Sequence, residues 1–107
     1  IQKMRSSLVH RGPDDSGIYI SSISGDRQSA LAHTRLSILD LSPAGHQPMS
    51  TTDGRYTITF NGEIYNHQEM RDGILKHHTF RTKSDSEVIV HLYEEFGYDF
   101  CNLLDGD

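Results

Sequence analysis

Apolar positions recur at two different spacings along this 107-residue chain, and the changes of spacing mark out its elements. Ile1, Met4 and Leu8 stand at i, i+3 and i+7, one face of a helix over the first nine residues. His10-Arg11-Gly12-Pro13 ends it, since Gly and Pro do not extend a helix. Gly17 to Ser22 alternates apolar and polar, and Gly25-Asp26 turns the chain into Ser29 to Leu36, which predicts a hairpin or two neighbouring strands. Leu41 to Thr52, broken by Pro43, Gly45 and Pro48, reads as a loop. Asp53-Gly54 then turns the chain into a β-prone strand over 55–60.

Helical spacing returns afterwards. Asn66 and Glu69 form an N-cap and N3 pair opening a helix to about residue 77, with Gly73 weakening its far end by about 1 kcal/mol relative to Ala. Ser84-Asp85-Ser86-Glu87 has the form of a capping box, placing Asp85 at the first helical position. Val88, Ile89, Leu92, Tyr93 and Phe96 follow as an apolar stripe that ends at Gly97. A shorter helix is predicted over 98–104. Strands and helices mix without strict βαβ alternation, which predicts an α+β domain.

Composition narrows the possible partners. A formal charge of −5 and dispersed basic residues argue against nucleic acid. Hydrophobic content of 35% and a mean hydropathy of −0.56 are modest, and no apolar run is long enough to cross a membrane. A single cysteine, Cys101, excludes an internal disulfide and fits a reducing, cytoplasmic setting. Cys101 lies among Tyr98, Phe100, Leu103 and Leu104, a pattern predicting a buried, inert thiol. Seven histidines raise the question of a metal, but none shows ligand spacing. His77 and His78 are adjacent, so their rings are expected to point apart; the histidines read as solvated or core residues and no metal is expected. The start inside a helical pattern and the stop at Asp105-Gly106-Asp107 predict an internal piece of a longer protein.

The chemistry concentrates in Phe60-Asn61-Gly62-Glu63-Ile64-Tyr65-Asn66. An Asn-Gly pair after a strand is ordinarily a tight turn. It can also aim a side-chain amide and a backbone N–H at one oxyanion. Three further segments favour the second reading: His10 to Gly17 (HRGPDDSG), Leu31 to Ile38 (LAHTRLSI) and Ser84 to Val88 (SDSEV). Together, in this order, they resemble the glutaminase domain of class II glutamine amidotransferases, in the asparagine synthetase branch.

The resemblance covers residues 4 to 106 and implies part of an N-terminal-nucleophile hydrolase fold, an αββα sandwich of two antiparallel sheets. Residues 1–107 would then form a partial glutaminase domain, lacking the nucleophile strand upstream and further strands downstream. Asn61 Nδ2 and the Gly62 N–H correspond to the oxyanion hole, and Arg35 to the clamp on the glutamine α-carboxylate. Asp85 and Glu63 correspond to carboxylates facing the α-ammonium. Each residue also has a plain reading: Arg35 as a surface arginine, Asp85 as a helix-dipole partner, Glu63 as an exposed turn residue. HRGPD is read as structural, with Arg11 and Asp14 available for an ion pair.

The family nucleophile, a cysteine at the mature N-terminus, has no counterpart here, and Cys101 lies in the wrong segment to replace it. The chain alone is therefore expected to be inactive, and to need no cofactor of its own. ATP and Mg are implied for a C-terminal synthetase domain, the partner that would receive ammonia; whether a homodimer forms is left open. The parent would make asparagine, or alternatively aminate a sugar in surface-polysaccharide assembly. From a different class, a degenerate glutamine-binding regulatory module or a purely structural domain also fits.

Overall fold

The computed structural model describes residues 1–22, 25–37 and 43–107. Helix α1 spans Gln2–Ser7 and passes into a 3-10 turn over Val9–Arg11, in agreement with the predicted stop at Gly12-Pro13. Strands β1 (Asp15–Ser22) and β2 (Gln28–Arg35) form the predicted hairpin, antiparallel from Asp15 opposite Arg35 to Ser22 opposite Gln28. Gly25 supplies the positive φ of +97° that the turn requires.

The predicted loop over 41–52 holds more structure than its prolines suggested. Leu41 and Ser42 lie outside the described residues. Pro43–Gly45 is a 3-10 turn, and Met49–Ser50 is a short strand, β3, paired with β4 (Thr57–Ile58). Strand β4 is shorter than the 55–60 predicted, and side chains account for both ends. Tyr56 N–H donates to Thr51 Oγ1 at 3.2 Å within the turn, while Phe60 N–H donates to the Gln47 side chain at 2.7 Å.

Helix α2 covers only His67–Asp72, because the chain turns at Gly73. Asn66 stands at its N-cap but makes no capping bond. Its carboxamide instead reaches the C-terminal segment, donating to the Leu103 carbonyl at 2.9 Å and accepting from Asp105 N–H at 3.0 Å. Helix α3 spans Ser86–Phe96 and ends at Gly97, whose φ of +57° breaks the helix. A 3-10 helix over Gly97–Leu103 replaces the predicted α-helix over 98–104.

One core joins these parts. Ile64, Leu75, Val88, Ile89 and Leu92 are buried together, flanked by Phe60, Phe80, Phe96 and Phe100. The apolar stripe of α3 thus faces the segment carrying Asn61 to Ile64. The architecture is α+β, with two small antiparallel sheets among the described residues.

Candidate functional site

Asp85 anchors the arrangement. It occupies the N-cap of α3, one position earlier than the sequence suggested, and its Oδ2 accepts the Ile64 N–H at 2.8 Å. The Asn61-Gly62-Glu63 segment is thereby tied to the start of α3. Backbone bonds with the chain's end hold its other side: Glu63 and Asp107 exchange N–H···O bonds, both 2.9 Å. Gly62 is needed for close approach, because a Cβ there would lie 2.6 Å from the Phe60 ring. Asn61, Gly62 and Glu63 are exposed. Among the described residues, the Asn61 side-chain amide and the Gly62 N–H donate to no protein acceptor. Two donors on neighbouring residues are thus open to a ligand.

Arg35 approaches from the other half of the molecule. It closes β2, and its carbonyl accepts the Asp14 N–H at 3.0 Å. Its guanidinium lies over Gly45, where a Cβ would come 2.6 Å from Cζ. Gly12 packs equally close to the backbone at the end of β2, 2.5 Å from Arg35 N by the same measure. The structural role predicted for HRGPD fits this packing, but the predicted Arg11–Asp14 ion pair does not form. Asp14 Oδ2 instead accepts the Ser37 N–H at 2.8 Å, where a fixed backbone donor offers better geometry than an exposed guanidinium.

Gln47 joins the two halves, and nothing in its own pattern singled it out. It is 7% exposed. Its Oε1 accepts the Phe60 N–H directly before Asn61, and its Nε2 donates to Ser86 Oγ at 3.4 Å directly after Asp85. Its neighbour His46 holds Asp15 Oδ2 at 2.7 Å. The turn that seats Arg35 is therefore hydrogen-bonded to both segments carrying the other four residues. His33 adds a link between Nδ1 and Thr59 Oγ1 at 3.0 Å. Burial, then the nearby Arg35 charge, hold its imidazole below the ordinary 6.5.

The loop leading to Asp85 is clamped by two side chains. Glu87, 2% exposed, accepts from Arg81 N–H and Thr82 N–H at 2.8 Å each and from Thr82 Oγ1 at 2.6 Å. It does not close the capping box, because its carboxylate turns to this loop rather than to its own helix end. Burial would raise its pKa, but hydrogen bonds from His91, Thr82 and the two backbone N–H groups outweigh that and bring it to about 2. Arg71 grips the same loop from the carbonyl side, donating to Thr82 O at 2.9 Å and to Ser84 O. It stacks on Phe80 with Cζ 4.2 Å from the ring centre.

The profile of a glutamine amidotransferase domain matches residues 1–107, the whole chain. The chain belongs to this family. It is 51% identical over 107 residues to glutamine-hydrolysing asparagine synthetase 1 of Arabidopsis thaliana, and 48% identical over 106 residues to the Dictyostelium discoideum probable glutamine-hydrolysing asparagine synthetase. These alignments cover 99% and 97% of the chain but only 17% and 18% of the two relatives.

Two sequence-based expectations fail on this glutamine amidotransferase domain. Cys101 is exposed rather than buried. A 3-10 helix repeats every three residues, so Tyr98 and Cys101 share the outward ridge while Phe100 and Leu103 face inward. The rings of His77 and His78 do not point apart: their centres are 4.5 Å from each other, and both Nε2 atoms reach Glu95 Oε1. No described helix is long and apolar enough to cross a membrane. A cleft of about 510 Å³ lined by Gln68, Arg71, Asp72, Lys76, His78, Phe80 and Lys83 shares no residue with the Arg35–Asn61–Gly62–Glu63–Asp85 set.

Proposed function

We infer that this domain forms the glutamine-holding side of the glutaminase site in an asparagine synthetase-type amidotransferase. Arg35 receives the α-carboxylate through a two-pronged, charge-assisted contact. Asp85, with Glu63 beside it, faces the α-ammonium. Asn61 Nδ2 and the Gly62 N–H receive the oxyanion that forms when the side-chain amide is attacked. The observation that carries this reading is the Asp85–Ile64 hydrogen bond, which ties the carboxylate to the segment carrying two adjacent donors without protein partners.

The attacking thiol comes from outside these 107 residues; Cys101, in the 3-10 helix after α3, takes no part. The surrounding architecture is the αββα sandwich of N-terminal-nucleophile hydrolases, of which the two hairpins and the α2–α3 layer are a portion. The parent releases ammonia from glutamine in the cytoplasm and passes it to a C-terminal synthetase domain, where ATP and Mg²⁺ activate aspartate.

The test compares glutamine-driven with ammonia-driven asparagine formation in the full-length protein. Arg35→Ala should raise KM for glutamine, since the contact exists in ground and transition states alike. Asn61→Ala should lower glutamine-dependent kcat by about 100- to 1000-fold. Neither should alter ammonia-driven turnover. Wild-type glutamine kinetics in both variants would refute the assignment.

A further inference from the structure

Three imidazoles and three carboxylates gather where the segment after α2 meets α3, outside the proposed glutamine site. Their contacts fix which ring nitrogen faces which carboxylate. His78 Nε2 lies 2.6 Å from Glu95 Oε1, and a carboxylate only accepts, so that nitrogen carries the proton. His91 lies between two carboxylates: Nε2 faces Glu87 Oε1 at 3.7 Å, and Nδ1 is hydrogen-bonded to Glu94 Oε2 at 3.5 Å. With its proton on Nε2, the neutral His78 ring leaves Nδ1 as a lone pair, and both Nδ1 atoms turn toward one carboxylate oxygen. Glu94 Oε2 lies 3.5 Å from His91 Nδ1 and 4.0 Å from His78 Nδ1.

A cation seated among these atoms would replace the proton that His91 Nδ1 shares with Glu94 and would also satisfy the His78 Nδ1 lone pair. An ion bound at about 2.0–2.1 Å holds its donors roughly 3.3–3.5 Å apart. Donor atoms of His78, His91 and Glu94 all lie within 4.8 Å of one another, so small side-chain rotations complete the set. His91 and Glu94 are fixed three residues apart on α3, and the His78 and His91 rings already lie 4.5 Å between centres. The supporting carboxylates suit a pattern common to metal centres, in which a ligating imidazole presents its other N–H to an acidic group: His78 Nε2 donates to Glu95, and with a metal on Nδ1 the His91 proton would sit on Nε2, facing Glu87. The neighbouring trio of His77, His78 and Glu95 lacks this property, because there both Nε2 protons are already spent on one carboxylate oxygen.

We propose that His78 Nδ1, His91 Nδ1 and Glu94 Oε2 bind a borderline divalent ion such as Zn²⁺, leaving a fourth position to water. Two imidazoles and a carboxylate suit such an ion better than Mg²⁺ or Ca²⁺, which take mainly oxygen ligands. The ion would pin the segment carrying His78 to α3.

The test uses full-length protein stripped with a chelator and titrated with Zn²⁺ against a chromogenic competitor, with Co²⁺ as a spectroscopic substitute. Wild-type protein should take up one Zn²⁺ equivalent that His78→Gln and Glu94→Gln both lose. Co²⁺ should show the intense d–d bands of a four-coordinate site only in the wild type. Glu95→Gln removes a support rather than a ligand, so it should keep the stoichiometry and weaken affinity by about 10- to 100-fold. Glu94 is exposed, so the fold of its variant can be confirmed by circular dichroism and the loss read at binding. Zn²⁺ uptake equal in the wild type and both ligand variants, or no uptake by the wild type, would overturn the proposal.

Discussion

Replacing Glu87 should be among the most damaging single changes in this domain, although its sequence position marks it only as a helix-capping residue. Two routes give the magnitude. A shift from the ordinary 4.5 to about 2 corresponds to about 3 kcal/mol of native-state stability. Independently, removing one partner of a buried, hydrogen-bonded charge typically costs about 3–5 kcal/mol. Glu87→Gln keeps the shape but loses the charge, and should cost about 3 kcal/mol near neutral pH; Glu87→Ala also orphans two backbone donors and belongs at the upper end.

The sign of the pH dependence follows from the depressed pKa. The stabilisation is fully present above 4.5 and is lost as pH falls through about 2. Urea unfolding of wild type and Glu87→Gln across that range should show a gap that is largest near neutrality and closes in acid. A neutral-pH gap below about 1 kcal/mol, or one that does not change with acidification, would refute the reasoning.

Gln47→Ala leaves the Phe60 N–H without its acceptor and should destabilise the domain by about 1–3 kcal/mol, measurable by the same unfolding assay. Gly45→Ala should separate stability from binding. The added Cβ meets the movable end of Arg35, so unfolding should change little, while KM for glutamine rises and ammonia-driven turnover holds. Cys101 should react with a thiol reagent in the folded protein; protection until denaturant is added would contradict its exposure.

Where local pattern and tertiary packing agree, the fold was legible. The patterns of 17–22 and 29–36 read as a hairpin or two neighbouring strands, of which the hairpin forms, and the stripe from Val88 to Phe96 read as the helix that carries the core. Helix-start rules failed where a side chain bonded outside its own helix end. Asn66 and Glu87 both match helix-start signatures, yet one bonds to residues 103 and 105 and the other to residues 81 and 82. A helix-start signature encodes neither set of partners.

The histidine pair failed for a related reason. Neighbouring side chains diverge on a strand, whereas residues 73–78 are a run of turns and a bend, which lets both rings reach Glu95. Cys101 was misplaced by assuming 3.6 residues per turn in a segment built on three. The motifs singled out Arg35, Asn61 and Asp85, but not Gln47, whose side chain ties the segments before Asn61 and after Asp85 together. A single glutamine in a proline-rich loop gives no periodic signal of burial.

The clamp formed by Glu87 and Arg71 also bears on how the molecule moves. Residues 81–84 have no helix or strand to hold them, and a segment of that kind ordinarily trades its amide hydrogens with solvent almost at once. Here the Arg81 and Thr82 amides are locked to a carboxylate on α3, so they open only when that helix does. Their deuterium uptake should track the amides of Val88 to Leu92 rather than those of the hairpin turn near Gly25. By that measure the approach to Asp85 should open with the core helix, so the carboxylate stays where its bond to Ile64 sets it.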